Sequence, residues 1–324
     1  MRAALSIPGP TGGTVEIRDV PDPRPGDGQV LVRIHAAGIN RGELTRIHDH
    51  KPAPDAKPLP VGNECAGEVV EVGAGVTRMK AGDRIMCRCN GGIAEAVVIN
   101  ERAAMPLAGS MSWTDAASLP NVCVTAHDAL TVSGRLQAGE SMLVNAASSG
   151  VGIATIQIAR LLGATPLMAT SRSAAKLEKL KPLGIDCGIL TSADLDKEAR
   201  SATGGKGIDV VIDNVGASVL CDTVKAMAYK GRIVQVGRLD TSEGEIDLNL
   251  LAMKRVALVG TSFRMRNAEE TLQASEAFAA ALLPAVHDGR IRAVVDRVFP
   301  FDQVNQAYDY METNAQIGKI VLAV

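Results

Sequence analysis

The residues best suited to chemistry lie in the run Leu143-Val144-Asn145-Ala146-Ala147-Ser148-Ser149-Gly150-Val151-Gly152. It reads as a short apolar strand, a turn of small residues and the start of a helix that carries Val151, Ala154, Ile158 and Leu162 on one face. Ala147, Ser149 and Gly152 take the three small positions of a dinucleotide fingerprint, with two of its usual glycines replaced. Backbone poor in side chains lets a pyrophosphate reach free N–H groups and the positive end of the helix. Ser149, Gly150, Val151 and Gly152 are therefore the candidate phosphate contacts. A tight packing turn is the competing reading of this motif taken alone.

The next strand bears on which dinucleotide fits. An NAD site places Asp or Glu near its end, to accept from the ribose 2′-hydroxyl. The sequence there is Ala169-Thr170-Ser171-Arg172-Ser173-Ala174-Ala175-Lys176, with no acid. Ser171, Arg172 and Lys176 instead offer the donors that a 2′-phosphate needs, which favours NADPH over NADH. The competing reading is an exposed basic first turn of a helix.

Such a site must be held by alternating strands and helices. Strand patterns at 165–169, 187–190, 208–213, 232–236 and 256–259 alternate with helix patterns at 173–183 and 217–228. That order implies a parallel sheet covered on both faces, the doubly wound dinucleotide fold. Residues 1–120 differ: short strand-like runs such as Val30–His35, Ala66–Val72, Arg84–Cys87 and Ala94–Ile99 are separated by Gly/Pro turns. They read as a compact, mostly antiparallel β domain. Beyond Phe263 come a helix at 268–286, a strand at 293–299, a short helix near 304–312 and a closing strand at 319–324 that should return to the first domain.

With 324 residues the chain has room for two cores. A formal net charge of −2 gives no electrostatic reason to expect nucleic acid or a membrane surface as partner. The opening residues do not read as a secretory signal and no apolar run is long enough to span a bilayer, so a cytoplasmic location is expected. The six cysteines show no Cys-x-x-Cys pair and read as reduced thiols, not a disulfide framework.

The chain as a whole resembles the zinc-free quinone oxidoreductase branch of the medium-chain dehydrogenase/reductase superfamily. The resemblance rests on Ala36-Ala37-Gly38-Ile39-Asn40, Gly62-Asn63-Glu64-Cys65-Ala66-Gly67, Lys80-Ala81-Gly82-Asp83-Arg84, Gly91-Gly92-Ile93-Ala94-Glu95, Ser118-Leu119-Pro120 with Thr125-Ala126, the fingerprint, and Gly318-Lys319-Ile320-Val321-Leu322. Leu250–Arg255, Thr261 and Arg264-Met265-Arg266 are most similar to the stress-induced type of quinone reductase. The resemblance implies an α/β chain in which a Rossmann doubly wound parallel sheet, residues 121–263, is inserted into a GroES-like, mostly antiparallel β domain, residues 1–120 plus 264–324.

By motif alignment, the three catalytic zinc ligands of related enzymes fall on Asn40, Asn63 and Asn121. Neutral carboxamides are poor zinc ligands, so no metal is expected. Without a Lewis acid the site suits quinones or enones, which take a hydride unaided and build negative charge on oxygen. The resemblance places Asn40, Asn63 and Thr125 as catalytic residues donating to that oxygen, with Asn40 and Thr125 also beside the nicotinamide. It adds Asn214, Gly216, Val236, Gly237, Thr261, Ser262 and Phe263 as cofactor contacts at strand ends, and Lys319 as a ribose or phosphate contact.

Tyrosines that many relatives carry after Asn40 and at the place of Ala96 are missing. His48 and His50 are candidate proton donors in their stead, against a reading as two exposed loop histidines. Glu64 and Asp83 read as residues that fix turns. The leading expectation is an NADPH-dependent quinone reductase. Alternatives are a reductase of α,β-unsaturated carbonyls, or an NADPH-binding protein with little catalysis. A homodimer through the edge of the last Rossmann strand is implied by analogy.

Overall fold

A computed structural model describes residues 1–53, 55–109 and 111–324. The chain divides into two compact units, one of Met1–Val122 with Leu272–Val324 and the other of Cys123–Thr271.

The first unit opens with β1 (Arg2–Ile7), β2 (Thr14–Asp19), β3 (Gln29–Ile39), helix α1 (Arg41–His48), β4 (Leu59–Pro60), β5 (Glu64–Val72), β6 (Arg84–Arg88), β7 (Ala96–Asn100), β8 (Ala104–Pro106) and helix α2 (Trp113–Ala117). Helix α3 (Pro120–Asp128) starts on a proline, whose missing N–H costs nothing at the first helical position. It runs on into a π-helical turn, Ala129–Ser133.

The second unit follows with β9 (Met142–Val144), α4 (Gly150–Leu161), β10 (Leu167–Ser171), α5 (Ala174–Leu180), β11 (Cys187–Leu190), α6 (Leu195–Ala202), β12 (Ile208–Asp213), α7 (Leu220–Ala226), β13 (Met227–Gln235), α8 (Leu248–Lys254) and β14 (Ala257–Gly260). The six strands form one parallel sheet in the order β11-β10-β9-β12-β13-β14. Counted within the sheet this is 3-2-1-4-5-6, the dinucleotide-binding order, which reverses direction between β9 and β12. Leu143, Met168, Ile189, Val211 and Ile233 fill the core on these strands, as continuous burial on both faces requires. The helix expected over 217–228 stops at Ala226, because Met227 and the residues after it pair with β12 as a longer strand than the alternation suggests. Strand β10 begins only at Leu167, after Pro166, which has no N–H for a central ladder.

The chain closes with α9 (Ala268–His287), β15 (Val295–Pro300), α10 (Val304–Glu312) and β16 (Lys319–Ala323). Strand β16 pairs antiparallel with β3, Ile320 opposite Ile39, so the closing strand returns to the first unit's sheet as its apolar run implies. That sheet runs β15-β16-β3-β5-β6-β8, with β7 also on β3, and a smaller sheet runs β2-β1-β4. Val30, Val32 and Ile34 alternate inward on β3 and pack with Val69, Ile85, Val97 and Ile320.

Candidate functional site

In the second unit the fingerprint sits at the carboxyl end of β9. Ser149 is the N-cap of α4, and its hydroxyl accepts from Gly152 N–H at 3.0 Å. The amides of Gly150 and Val151, the first two of the helix, have no intrahelical acceptor. A Cβ on Gly152 would stand 2.7 Å from the carbonyl oxygens of both Ala146 and Ala147, so only glycine lets helix and turn approach this closely. Gly152→Ala is expected to cost about 1–3 kcal/mol as an overpacked site, read as a lower thermal midpoint. An unchanged midpoint would show that the turn can yield.

Buried polar groups fix the strand ends around this turn. Thr170 Oγ1 donates to Asn145 Oδ1 at 2.8 Å, and Asn214 Nδ2 donates to Asn145 O at 3.0 Å. Asp213 accepts from Val215 N–H at 2.9 Å and Gly216 N–H at 3.2 Å, and burial pushes its carboxyl above the usual range against those bonds. Asn214, Gly216, Val236 and Gly237 therefore lie at the carboxyl ends of β12 and β13, and Gly237 passes so close to Asn214 that a Cβ would meet its carbonyl at 2.6 Å. Thr261, Ser262 and Phe263 follow β14; Thr261 Oγ1 donates to Asp128, which also holds Arg266 in a two-bond ion pair at 2.9 and 2.7 Å. At the end of β10, Ser171 is buried, its hydroxyl accepting from Ser173 N–H at 3.2 Å. Arg172 is exposed and has no partner among the described residues. Lys176 is one turn further on. No carboxylate stands in this segment, so a phosphate can pair with Arg172.

The first unit holds a denser polar cluster than the sequence suggests. Lys319, at the start of β16, is 5 % exposed. Its ammonium donates to Ile39 O at 2.6 Å, Asn40 Oδ1 at 2.7 Å and Glu64 Oε1 at 2.7 Å. Glu64 is fully buried and also accepts from Asn40 Nδ2 and from Asn121 N–H, each at 2.8 Å. Asn121 Nδ2 donates to Asn40 Oδ1 at 2.9 Å, and Arg88 Nε donates to Asn121 Oδ1 at the same distance. Glu43, on the first turn of α1, accepts from Asn40 N–H at 3.0 Å, Asn63 N–H at 2.8 Å and the Tyr308 hydroxyl at 2.8 Å. Burial pushes the Glu43 carboxyl above its ordinary value, partly offset by these donors.

Three expectations change here. Lys319 has all three ammonium protons committed, so a ribose or phosphate contact would require breaking its pair with Glu64. Glu64 does not fix a turn; it is the acceptor at the centre of the cluster, whereas Asp83 does cap its turn, accepting from Lys80 N–H at 2.9 Å. Asn40 has both ends of its carboxamide engaged within the cluster. Of the three expected catalytic residues, the Asn63 carboxamide in the first unit and the Thr125 hydroxyl in the second have no side-chain partner among the described residues. Thr125 is four residues after Asn121 on α3, on the same helix face. The histidines also differ from expectation: His50 is buried, its Nδ1 2.8 Å from Ser6 Oγ, while His48 ends α1 beside Glu312.

Tyr308→Phe is expected to cost about 1.5 kcal/mol by removing one donor from a buried carboxyl. A carboxyl with a raised folded pKa favours the fold most when protonated, and that contribution is lost as pH rises through the folded value. The missing donor raises it further, so unfolding measured against pH should show a larger loss at alkaline than at acidic pH. A pH-independent loss would contradict this account.

Comparison with known proteins agrees with both units. Residues 26–109 match the family described as alcohol dehydrogenase GroES-like domain, and residues 150–280 that described as zinc-binding dehydrogenase. The quinone oxidoreductase of Rattus norvegicus is 31% identical over 312 residues, covering 94% of this chain and 92% of its own length. This chain belongs to the medium-chain dehydrogenase/reductase superfamily. As a member of that superfamily it is an oxidoreductase with a pyridine-nucleotide-binding fold. A mycobacterial structure in complex with NADPH superposes with a TM-score of 0.87 at 27% identity over 100% of both chains. The CurK enoyl reductase superposes at 0.84 with 25% identity over 99% of both chains. The dehydrogenase family's description names zinc, but the residues at the expected metal positions do not fit one. Asn40 and Asn121 are neutral, bonded to each other, and flanked by the Lys319 ammonium and Arg88 guanidinium. Among the described residues, no helix is long and apolar enough to cross a membrane.

Proposed function

We propose that this chain is an NADPH-dependent reductase that transfers a hydride to a quinone without zinc. The observation that carries the cofactor choice is the end of β10, where the exposed Arg172 stands in place of an acid. NADPH supplies the hydride when bound. The chain's own part is to seat the pyrophosphate against the Gly150 and Val151 amides and to meet charge that develops on the acceptor oxygen. For that charge the protein offers the unengaged Asn63 carboxamide and Thr125 hydroxyl as neutral donors. The cluster of Lys319, Glu64, Asn40 and Asn121 lies in the same unit as Asn63, and Lys319 balances Glu64 within it. The relative of similar length named quinone oxidoreductase supports the acceptor class.

A second reading, reduction of α,β-unsaturated carbonyls, is favoured by the likeness to an enoyl reductase. It needs a proton for the alkene carbon. His50 is taken up by Ser6 and His48 by Glu312, so solvent is the source most consistent with the structure. The reading of a binding protein with little catalysis is set apart by turnover itself. Steady-state NADPH oxidation with benzoquinone, phenanthrenequinone and a simple enone separates these readings. Faster turnover of the quinones is expected; an enone preferred over both would replace the acceptor assignment. The proposal includes a homodimer and a cytoplasmic site of action.

A further inference from the structure

Cys65 comes together in the first unit with Cys87 and Cys89, more than 20 residues further along the chain. Cys65 on β5 and Cys87 on β6 are direct cross-strand partners, and their sulfurs lie 3.6 Å apart. Cys89, two residues beyond Cys87 and so on the same face, brings its sulfur to 3.8 Å from that of Cys65. All three sulfurs lie within 4.8 Å of one another. Cys65 and Cys87 are fully buried and Cys89 is half-buried. Gly92 leaves room for them: a Cβ there would stand 2.8 Å from Cys89 Sγ. Along β5 the Cys65 side chain alternates with that of Glu64, which places the sulfurs on the opposite face from the Lys319 cluster.

We propose that Cys65, Cys87 and Cys89 form a three-thiolate site for a trivalent, thiophilic metalloid, with arsenite as its ligand. Two thiolates bound to one central atom at about 2.3 Å can stand no more than about 4.6 Å apart, and both sulfur separations, 3.6 and 3.8 Å, lie within that reach. Zinc in a closed site takes a fourth protein ligand, and among the described residues no further Cys, His, Asp or Glu atom joins the group. Charge favours the same choice. With three thiolates a monovalent ion leaves two negative charges and a divalent ion one, in a site lined by the apolar core. A trivalent centre leaves none, and an unpaired buried charge is costly. The reaction balances without redox change. Three S–H bonds and three As–O bonds of arsenous acid break, three As–S bonds form, and each hydroxyl leaves with one thiol proton as water.

The test uses the full chain, reduced with a phosphine, incubated with sodium arsenite and desalted before intact mass spectrometry. One arsenic per chain, gained with loss of three hydrogens, is expected, and titratable thiols should fall from six to three. Cys89→Ser should lose the arsenic on desalting, whereas Cys221→Ser, a half-buried thiol outside the group, should keep it. Arsenic-edge X-ray absorption on the wild-type chain should show three sulfur neighbours and needs no variant to fold. No retained arsenic, loss of only two hydrogens, or equal retention by Cys89→Ser would overturn the proposal. So would one equivalent of zinc in the protein as purified that is lost from Cys89→Ser.

Discussion

Replacing Lys319 by methionine lowers the stability of the first unit by about 3–5 kcal/mol, because it leaves the Glu64 carboxylate buried without its counter-charge. Glu64 is fully buried and Lys319 nearly so, so water cannot take the place of the lost ammonium. In a domain of this size that is a drop of roughly 6–20 °C in the unfolding midpoint. The loss belongs to the uncompensated charge more than to the pair, which is why the double variant is informative. Glu64→Gln combined with Lys319→Met removes both charges and keeps an acceptor for Asn121 N–H. It should recover more than half of the single variant's loss, a coupling expected of residues in contact. Calorimetry or thermal shift of the parent and the two variants reads this directly. A single variant within about 1 kcal/mol of the parent would mean that the cluster behaves as a solvated surface pair.

Arg172→Ala weakens NADPH binding by roughly 10- to 150-fold and leaves NADH nearly unchanged. A guanidinium on a phosphate makes charge-assisted bonds that contribute about 1.5–3 kcal/mol, and that range converts to the stated fold-change. The 2′-hydroxyl of NADH offers no such charge, so its affinity has little to lose. Isothermal titration of both nucleotides against both proteins separates the outcomes. Equal losses for the two cofactors would show that Arg172 supports the strand end and does not read the phosphate.

Much of the fold was legible because its periodicities are clean. Residues 187–190 and 208–213 are strands with the bounds their apolar runs suggest, and 304–312 is a helix as expected. The errors have local causes. Met227 carries no mark in the sequence that separates a helix end from a strand start, and pairing with β12 decides it. Pro166 delays β10.

The candidate site was legible only where backbone does the work. The Ser149–Gly152 turn lies at the end of the first parallel strand, as its small residues imply. The Glu64–Lys319 pair was misjudged because its partners are 255 residues apart and meet only when β16 closes onto β3. A signal was present: Glu64 precedes the small apolar run Cys65-Ala66-Gly67, and Lys319 leads the apolar strand Ile320-Val321-Leu322. A charge placed at the buried end of such a strand calls for an opposite charge. The cysteines were missed for the same reason, since cross-strand register brings Cys65 to Cys87 and the sequence spacing of 22 does not reveal it.

NADPH-specific hydride transfer to a quinone is the activity proposed for this chain. Its most direct test is kcat/KM for phenanthrenequinone reduction with NADPH and with NADH, on the same preparation with its metal content measured. Turnover with NADPH at least 10-fold above that with NADH is expected, in proportion to the Arg172 contribution, with activity unaffected by a zinc chelator. Equal use of both nucleotides, activity lost with the chelator, or saturable NADPH binding without turnover would contradict it.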